Sequence, residues 1–275
     1  MRLGVVLTGV GVYGAAGAGV LTELWRREME PYVVCALGSG AWPAALFASG
    51  CGASQMEASC VQAQRMGKRL LRRARFGATD HGLYKASGMQ RLLQTHTGGR
   101  LLALCPRRTI FPVRMLRGGM LAFASRCSTA GEGIALTMQA SAAFAARAAM
   151  GLPPFLEPLD WMGTPLLPIR DMALAARMLF ASGAQRVLIV DIRPSPRLRQ
   201  DGLWLASACM ESGIETNMPG TAKLTIQMPE HIGTLSFGKL SACMELGKQA
   251  AARELDGLLD MLGMAHCRVL PFRRS

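Results

Sequence analysis

Charged and aromatic side chains are scarce in this chain of 275 residues, of which 18% are charged and 6% are aromatic. Hydrophobic residues make up 50% of the chain. This balance excludes an intrinsically disordered protein, because disorder requires low hydrophobicity together with high net charge. The length and the apolar content are sufficient for a substantial core, and we expect residues 1–275 to form one domain.

Acidic residues are fewer than basic ones: 18 Asp and Glu stand against 31 Lys and Arg, and the net charge is +13. Such an excess raises the encounter rate with phosphate-bearing partners, including anionic lipid headgroups. In the most basic stretch, residues 65–75, no aromatic residues interleave with the basic ones, and we therefore expect no specific nucleic-acid binding.

Closely spaced metal ligands are also missing. The eight cysteines lie at least nine residues apart, so no C-x-x-C pair of the kind that binds zinc is present. The four histidines are scattered and have no ligand spacing (His81, His96, His231 and His266). We expect reduced, buried cysteines, a cytoplasmic location, no metal and no cofactor.

A charge-free run extends over residues 3–21, but six of its nineteen residues are glycine. The glycines follow a β-rich segment at turn-like spacing, which predicts a strand, a glycine loop and a helix rather than a signal peptide or a membrane span. Any membrane contact is therefore expected to be peripheral.

Strand-like and helix-like segments alternate along the chain, which predicts an α/β fold with a mainly parallel central sheet covered by helices on both faces. The strongest predicted strands are residues 3–8, 32–37 and 187–192. The predicted helices include residues 14–29, 41–48, 54–76, 136–149, 171–181 and 240–262.

The segment 32–41 reads as a buried strand, a tight turn and a helix, which is the setting of a nucleophile elbow. The centre of this elbow is Gly38, where a serine would be required for nucleophilic attack. The neighbouring Ser39 is the alternative nucleophile. Its other interpretation is a hydroxyl at a helix start that is hydrogen-bonded to nearby backbone.

The glycine loop after the first strand has two interpretations. Gly9, Gly11 and Gly14 fit G-x-G-x-x-G, which would bind a dinucleotide, but the second strand ends without the acid that holds the ribose. Alternatively, the backbone N–H groups of Gly9, Val10 and Gly11 would form an oxyanion hole beside the elbow.

Residues 9–21 resemble the opening motif of the patatin-like phospholipases, G-G-G-x-R-G-x-x-H-x-G-V-L, with Val10, Tyr13 and Gly17 in place of a glycine, the arginine and the histidine. Residues 36–40 take the place of the family's G-x-S-x-G. Gly50 matches a glycine that the family has twelve residues beyond its serine, which assigns the serine position to Gly38.

The resemblance continues through most of the chain. Residues 139–143 are similar to the family's A-S-A-A segment, and residues 160–168 to D-G-G-x-x-x-N-x-P, of which Asp160 and Pro168 are kept. It implies a patatin-like three-layer fold and, in active relatives, a Ser–Asp dyad in which Asp160 manages the proton of the serine. The alternative for Asp160 is a loop aspartate beside a turn.

The expected function is that of a catalytically degenerate patatin-like protein, which binds a lipid or an acyl ester in an apolar crevice, or a protein partner. Two alternatives stay open. One is an active lipid acyl hydrolase that uses Ser39 with Asp160. The other is a purely structural or dinucleotide-binding protein, the latter through Gly9, Gly11 and Gly14.

Residues 65–75 are strongly basic and fall in the predicted helix 54–76. Helical spacing would place Arg65 on one face with three further basic residues, where like charges repel. Membrane phosphates would relieve this repulsion, and a solvated face is the alternative. The candidates for membrane contact are Lys68, Arg69, Arg72 and Arg73.

Overall fold

The structure, a computed structural model, describes residues 1–73, 84–153, 155–198, 202–208 and 218–264. Its strands are β1 (Leu3–Leu7), β2 (Val33–Ala36), β3 (Arg72–Arg73), β4 (Tyr84–Lys85), β5 (Thr109–Met115), β6 (Met120–Ser125), β7 (Ile134–Thr137), β8 (Asp160–Trp161), β9 (Thr164–Pro168), β10 (Arg186–Arg193) and β11 (Thr221–Gln227). Its α-helices are α1 (Gly14–Arg26), α2 (Ala41–Ala48), α3 (Ala53–Met66), α4 (Ser87–Thr97), α5 (Ala142–Ala149), α6 (Met172–Ala181), α7 (Gly202–Ala208) and α8 (Leu240–Met261).

The central sheet has the strand order β11-β10-β1-β2-β5-β6-β7. The pairs from β11 to β5 are all parallel, β5 and β6 form an antiparallel hairpin, and β9 adds to β5 in the antiparallel sense. The chain moves from β1 to β2 on one side and places β10 on the other. Loops after these strands therefore converge beside a topological switch point, where α/β folds form their sites.

Helices cover both faces of the sheet. In β1, Val5 and Leu7 belong to the core on the side of α1, α2, α5 and α8, whereas Val6 belongs to the core on the side of α6. This alternation follows from the period of two in a strand, with both faces buried. The prediction of a mainly parallel sheet covered on both faces is confirmed.

Helices α1 and α8 touch through their backbones. A Cβ added to Gly247 would overlap Ala16 O and lie 2.7 Å from Ala16 C, and one added to Gly19 would overlap Met244 O. Two helices can approach this closely only where side chains are absent. These two glycines therefore set the distance between α1 and α8.

The predicted helix 54–76 is wrong in its second half. Helix α3 ends at Met66, because Gly67 has φ +51° and the chain continues as a 3-10 turn through Leu70. Strand β3 then pairs with β4, so Arg65, Lys68, Arg69 and Arg72 do not share a helical face. The last three residues of the predicted helix lie outside the described residues.

The predicted helix 136–149 begins later than expected. Residues 134–137 form β7, parallel to β6, and helix α5 starts only after Ser141. The Ser141 Oγ accepts a hydrogen bond from Phe144 N at 3.1 Å, which is an N-cap and satisfies a backbone donor of the first turn.

Among the described residues, no helix combines the length and the apolar character needed to cross a bilayer.

Candidate functional site

The predicted elbow is present between β2 and α2. Gly38 has φ +57° and opens a 3-10 turn, Gly38–Gly40, that leads directly into α2. A side chain at such a φ costs free energy, whereas glycine adopts it without a steric penalty. The backbone therefore has the positive-φ conformation of an elbow, and its apex carries no side chain.

The guanidinium of Arg170 occupies the space in front of this apex. A Cβ added to Gly38 would overlap Arg170 Nη1 and Gly9 O and would lie 2.6 Å from Arg170 Cζ. Arg170 is 6% exposed, and its Nη1 donates to Gly9 O at 3.1 Å, while Nη2 donates to Gly151 O at 3.4 Å. An arginine thus fills the position that a serine side chain would need.

Ser39 joins the elbow to the start of α1. It is 5% exposed, its Oγ accepts a hydrogen bond from Gly14 N at 3.1 Å, and its own N–H donates to Gly9 O at 2.9 Å. The first N–H groups of a helix have no partner within the helix, and the Ser39 hydroxyl supplies one. This geometry matches the interpretation of Ser39 as a hydroxyl at a helix start, although the helix is α1 rather than α2.

The glycine loop packs against the protein itself. Gly9 and Gly11 have φ +141° and +56°, and a Cβ on Gly11 would overlap Thr234 O. Val12 N donates to the same carbonyl at 2.9 Å, and a Cβ on Gly14 would overlap Ser39 O. Close approach of backbone to backbone therefore explains the glycines without any bound dinucleotide.

A cavity of about 60 Å³ lies against the elbow and the glycine loop, and Val10, Gly11 and Ser39 line it. Its remaining wall is mostly apolar, and two arginines contribute the charge. The apolar wall comprises Leu71, Met89, Met150, Leu152, Phe155, Leu156, Leu235 and Phe237, with Tyr84 and Ala86. The structure thus brings Ser39 together with two of the three residues predicted for the oxyanion hole.

The two arginines of the cavity are Arg147 on α5 and Arg170 after β9. Arg147 is 1% exposed, and its Nη2 donates to Glu157 O at 2.8 Å. Burial lowers the pKa of its guanidinium, and the charge of Glu157, whose carboxylate lies 4.0 Å away, partly opposes this effect. Its Nη1 is buried and has no hydrogen-bond partner among the residues that the structure describes.

Sequence reasoning missed both arginines. Arg147 is the one charged residue of the alanine-rich helix α5, and Arg170 stands two residues after Pro168, the last residue of the segment compared with the family motif. A lone charge in an apolar segment was the available signal. Nothing local indicates that these distant residues face one cavity.

Asp160 is exposed and belongs to a hairpin turn. Its Oδ1 accepts a hydrogen bond from Gly163 N at 2.8 Å, and Met162 and Gly163 have φ +52° and +79°, as in a type I′ turn between β8 and β9. Asp160 does not line the cavity. Of the described residues that do, none is an aspartate, a glutamate or a histidine.

The four basic residues predicted to contact a membrane lie after helix α3 rather than on it. Lys68 and Arg69 are exposed in the 3-10 turn after α3, and Arg72 and Arg73 form β3. Leu71, between them, lines the cavity.

The described cysteines are free and buried (Cys35, Cys51, Cys60, Cys105, Cys127 and Cys243). Burial raises the pKa of their thiols, to about 11 for Cys60 and to about 12 for Cys243. They therefore stay protonated at neutral pH. Cys209, Cys267, His81 and His266 lie outside the described residues.

No protein-family model and no curated protein sequence matches this chain. Solved structures do: VipD from Legionella pneumophila has a TM-score of 0.50 at 10% identity, over 94% of this chain and 67% of VipD. The ExoU–SpcU complex of the type III secretion system of Pseudomonas aeruginosa (0.44, 15%, 94% and 52%) and the type III effector protein ExoU (0.46, 14%, 93% and 53%) have lower scores. This chain therefore spans about half of the two ExoU chains.

Identities this low show a shared fold and nothing finer. The fold is that of the patatin-like phospholipases, with a mostly parallel central sheet flanked by helices, and the predicted fold class is confirmed.

Proposed function

We propose that this chain is a catalytically degenerate protein of patatin-like fold that binds an acyl group beside the elbow without cleaving it. The observation that carries the proposal is the guanidinium of Arg170, which occupies the space of the missing serine side chain in front of Gly38. A serine side chain at position 38 would have to displace this buried, hydrogen-bonded cation.

The site lacks the nucleophilic side chain that ester hydrolysis requires. Gly38 cannot attack an ester, and removal of the nucleophile from a serine hydrolase lowers turnover on the order of 10^6-fold. Ser39 would need a base within hydrogen-bond reach to become a nucleophile. Its Oγ instead accepts from Gly14 N, and the described residues that line the cavity include no carboxylate or imidazole.

Binding is supported by the composition of the cavity wall. Ligand sites are concave and mostly apolar, with a few polar groups that orient the ligand. Here Met89, Met150 and Phe155 contribute to an apolar wall, while Ser39 and the two arginines supply the polar groups. An acyl chain is the ligand class that such a wall favours.

The experiment combines labelling and binding on the purified full chain. A fluorophosphonate probe reports an activated serine without knowledge of the substrate, and we expect no stoichiometric labelling. Calorimetric titration with methyl octanoate is expected to show saturable binding. Stoichiometric labelling that disappears in Ser39→Ala, but not in the control Ser49→Ala, would establish the hydrolase alternative.

We further propose a peripheral contact with anionic membranes in a reducing cytoplasm. The net charge of +13 and the exposure of Lys68 and Arg69 support the contact, and the buried free thiols support the compartment. Arg72 and Arg73 would extend the basic segment along β3.

A further inference from the structure

Two buried guanidinium groups border one apolar cavity, and such an arrangement is costly. A charge removed from water must be compensated by hydrogen bonds or by an opposite charge. Arg147 and Arg170 are 1% and 6% exposed. Their elements, α5 and the segment after β9, are separated in sequence and meet at this cavity.

The hydrogen bonds of Arg147 are incomplete. Nη2 donates to a backbone carbonyl, that of Glu157, whereas the buried Nη1 has no partner among the described residues. The Glu157 carboxylate lies 4.0 Å from Nη2, and its side chain is 28% exposed. A buried charged donor without an acceptor costs more free energy than a neutral one. An anion in the cavity would remove this cost.

We propose that the cavity recognises a carboxylate at the end of an apolar chain, as in a free fatty acid. The carboxylate accepts from Arg147 and is attracted by the charge of Arg170, and the chain lies against Met89, Met150 and Phe155. This assignment rests on the acyl-binding cavity proposed above and adds the chemical class of its ligand.

Charge favours a carboxylate over a phosphate. The cavity of about 60 Å³ exceeds the roughly 10–15 Å³ that a single water molecule requires, which leaves room for a carboxylate and the first carbons of its chain. The rest of the chain can follow the rim, where Leu235 is 43% exposed. Because Glu157 offsets part of the positive charge, a single negative charge is the better complement.

The first measurement compares ligands on the unmodified protein. Calorimetric titrations use octanoate, octanol and octyl phosphate at pH 7.5 and fixed ionic strength. A hydrogen bond to a charged group contributes about 1.5–3 kcal/mol of net free energy. We therefore expect octanoate to bind roughly ten- to hundredfold more tightly than octanol. Octyl phosphate is expected to bind more weakly than octanoate.

The second measurement compares two arginine variants. Arg147→Met keeps an apolar side chain of similar length and is expected to reduce the preference for octanoate over octanol to about twofold or less. Arg91→Met on α4 removes an exposed arginine and is the control, for which the preference is expected to stay unchanged. If Arg147→Met does not fold, the ligand series on the unmodified protein decides by itself.

Each remaining outcome has a defined meaning. If octanol and methyl octanoate bind as tightly as octanoate, carboxylate recognition is refuted and the proposed acyl-binding function stands. If none of the eight-carbon ligands binds, both proposals fail. Tighter binding of octyl phosphate, or an unchanged preference in folded Arg147→Met, also overturns the assignment.

Discussion

The substitution Gly38→Ser introduces a side chain at the apex of the elbow and tests whether Arg170 occupies that space. Two costs add up in the structure. A non-glycine residue in the left-handed region costs about 1–2 kcal/mol. The new side chain also has to displace Arg170 from Gly9 O, and a hydrogen bond of a charged group is about 1.5–3 kcal/mol. These two contributions sum to about 2.5–5 kcal/mol. We expect at least this loss in the free energy of unfolding, because the new Cβ also overlaps Gly9 O.

Gly98→Ser is the matched control. Gly98 has φ +60°, close to that of Gly38, and lies in the left-handed helical region, but a Cβ there meets nothing within 4 Å. This substitution should therefore lower the free energy of unfolding only by the conformational cost of about 1–2 kcal/mol. Urea unfolding followed by tryptophan fluorescence measures both variants, with circular dichroism as a check that they fold.

A double-mutant cycle with Arg170→Ala isolates the overlap. In that background Gly38→Ser no longer displaces a guanidinium, so we expect a coupling energy of about 1.5–3 kcal/mol. Additive effects, within about 0.5 kcal/mol, would refute the placement of Arg170 at the apex. The double variant also provides the best chance of esterase activity on short acyl esters. We expect Asp160→Asn to leave any such activity unchanged, because Asp160 is exposed in a hairpin turn.

Three further predictions concern other parts of the molecule. Gly247→Ala should destabilise the fold by about 1–3 kcal/mol, because its Cβ overlaps α1, whereas Gly257→Ala on the same helix meets nothing and should stabilise by about 0.5–1 kcal/mol; denaturant titrations of the pair check this. Burial raises the pKa of Cys60 to about 11 and of Cys243 to about 12. The stability that these two thiols contribute is therefore fully present below the unfolded-state pKa of 9.0 and is lost as the pH rises through the two folded-state values. In urea titrations, the fall in the free energy of unfolding above pH 9 should be smaller for Cys60→Ala/Cys243→Ala than for the unmodified protein. Joint substitution of Lys68, Arg69, Arg72 and Arg73 by glutamine should remove most binding to anionic vesicles, at about 1 kcal/mol for each basic residue, and binding of the unmodified protein should weaken with salt in co-sedimentation.

Different results would contradict each of these predictions. Equal stability of the Gly247→Ala and Gly257→Ala variants would mean that α1 and α8 are not in backbone contact. An identical pH dependence with and without the two thiols would remove the cysteines as its cause. Vesicle binding that is indifferent to both salt and the four glutamines would place any membrane contact elsewhere.

The order of elements could be predicted from the sequence because it depends on local patterns. Apolar runs of four to eight residues bounded by turn residues predicted β1, β2 and β10. The predicted helices 41–48 and 240–262 correspond to α2 and α8. The elbow was predicted from the same kind of local pattern. A strand followed by small residues and a helix indicates where the elbow lies and that glycine stands at its apex.

Single-residue conformations and long-range contacts could not be predicted from such patterns. The pattern of residues 54–76 is helical on average, and one left-handed glycine, Gly67, ends α3 within it. Asp160 matched a motif position, but the turn that follows it directs its carboxylate to Gly163 N.

The scaffold follows from residue types at neighbouring positions, which specify a parallel α/β sheet and an elbow with glycine at its centre. The groups that line the site follow instead from contacts between distant segments. Arg170 is 132 positions from Gly38, and its guanidinium reaches the apex only because β9 pairs with β5 and β5 with β2. Arg147 lines the same cavity because α5 packs against α2 and β9. Contacts between distant segments depend on packing of the whole sheet, which no local pattern of residues encodes.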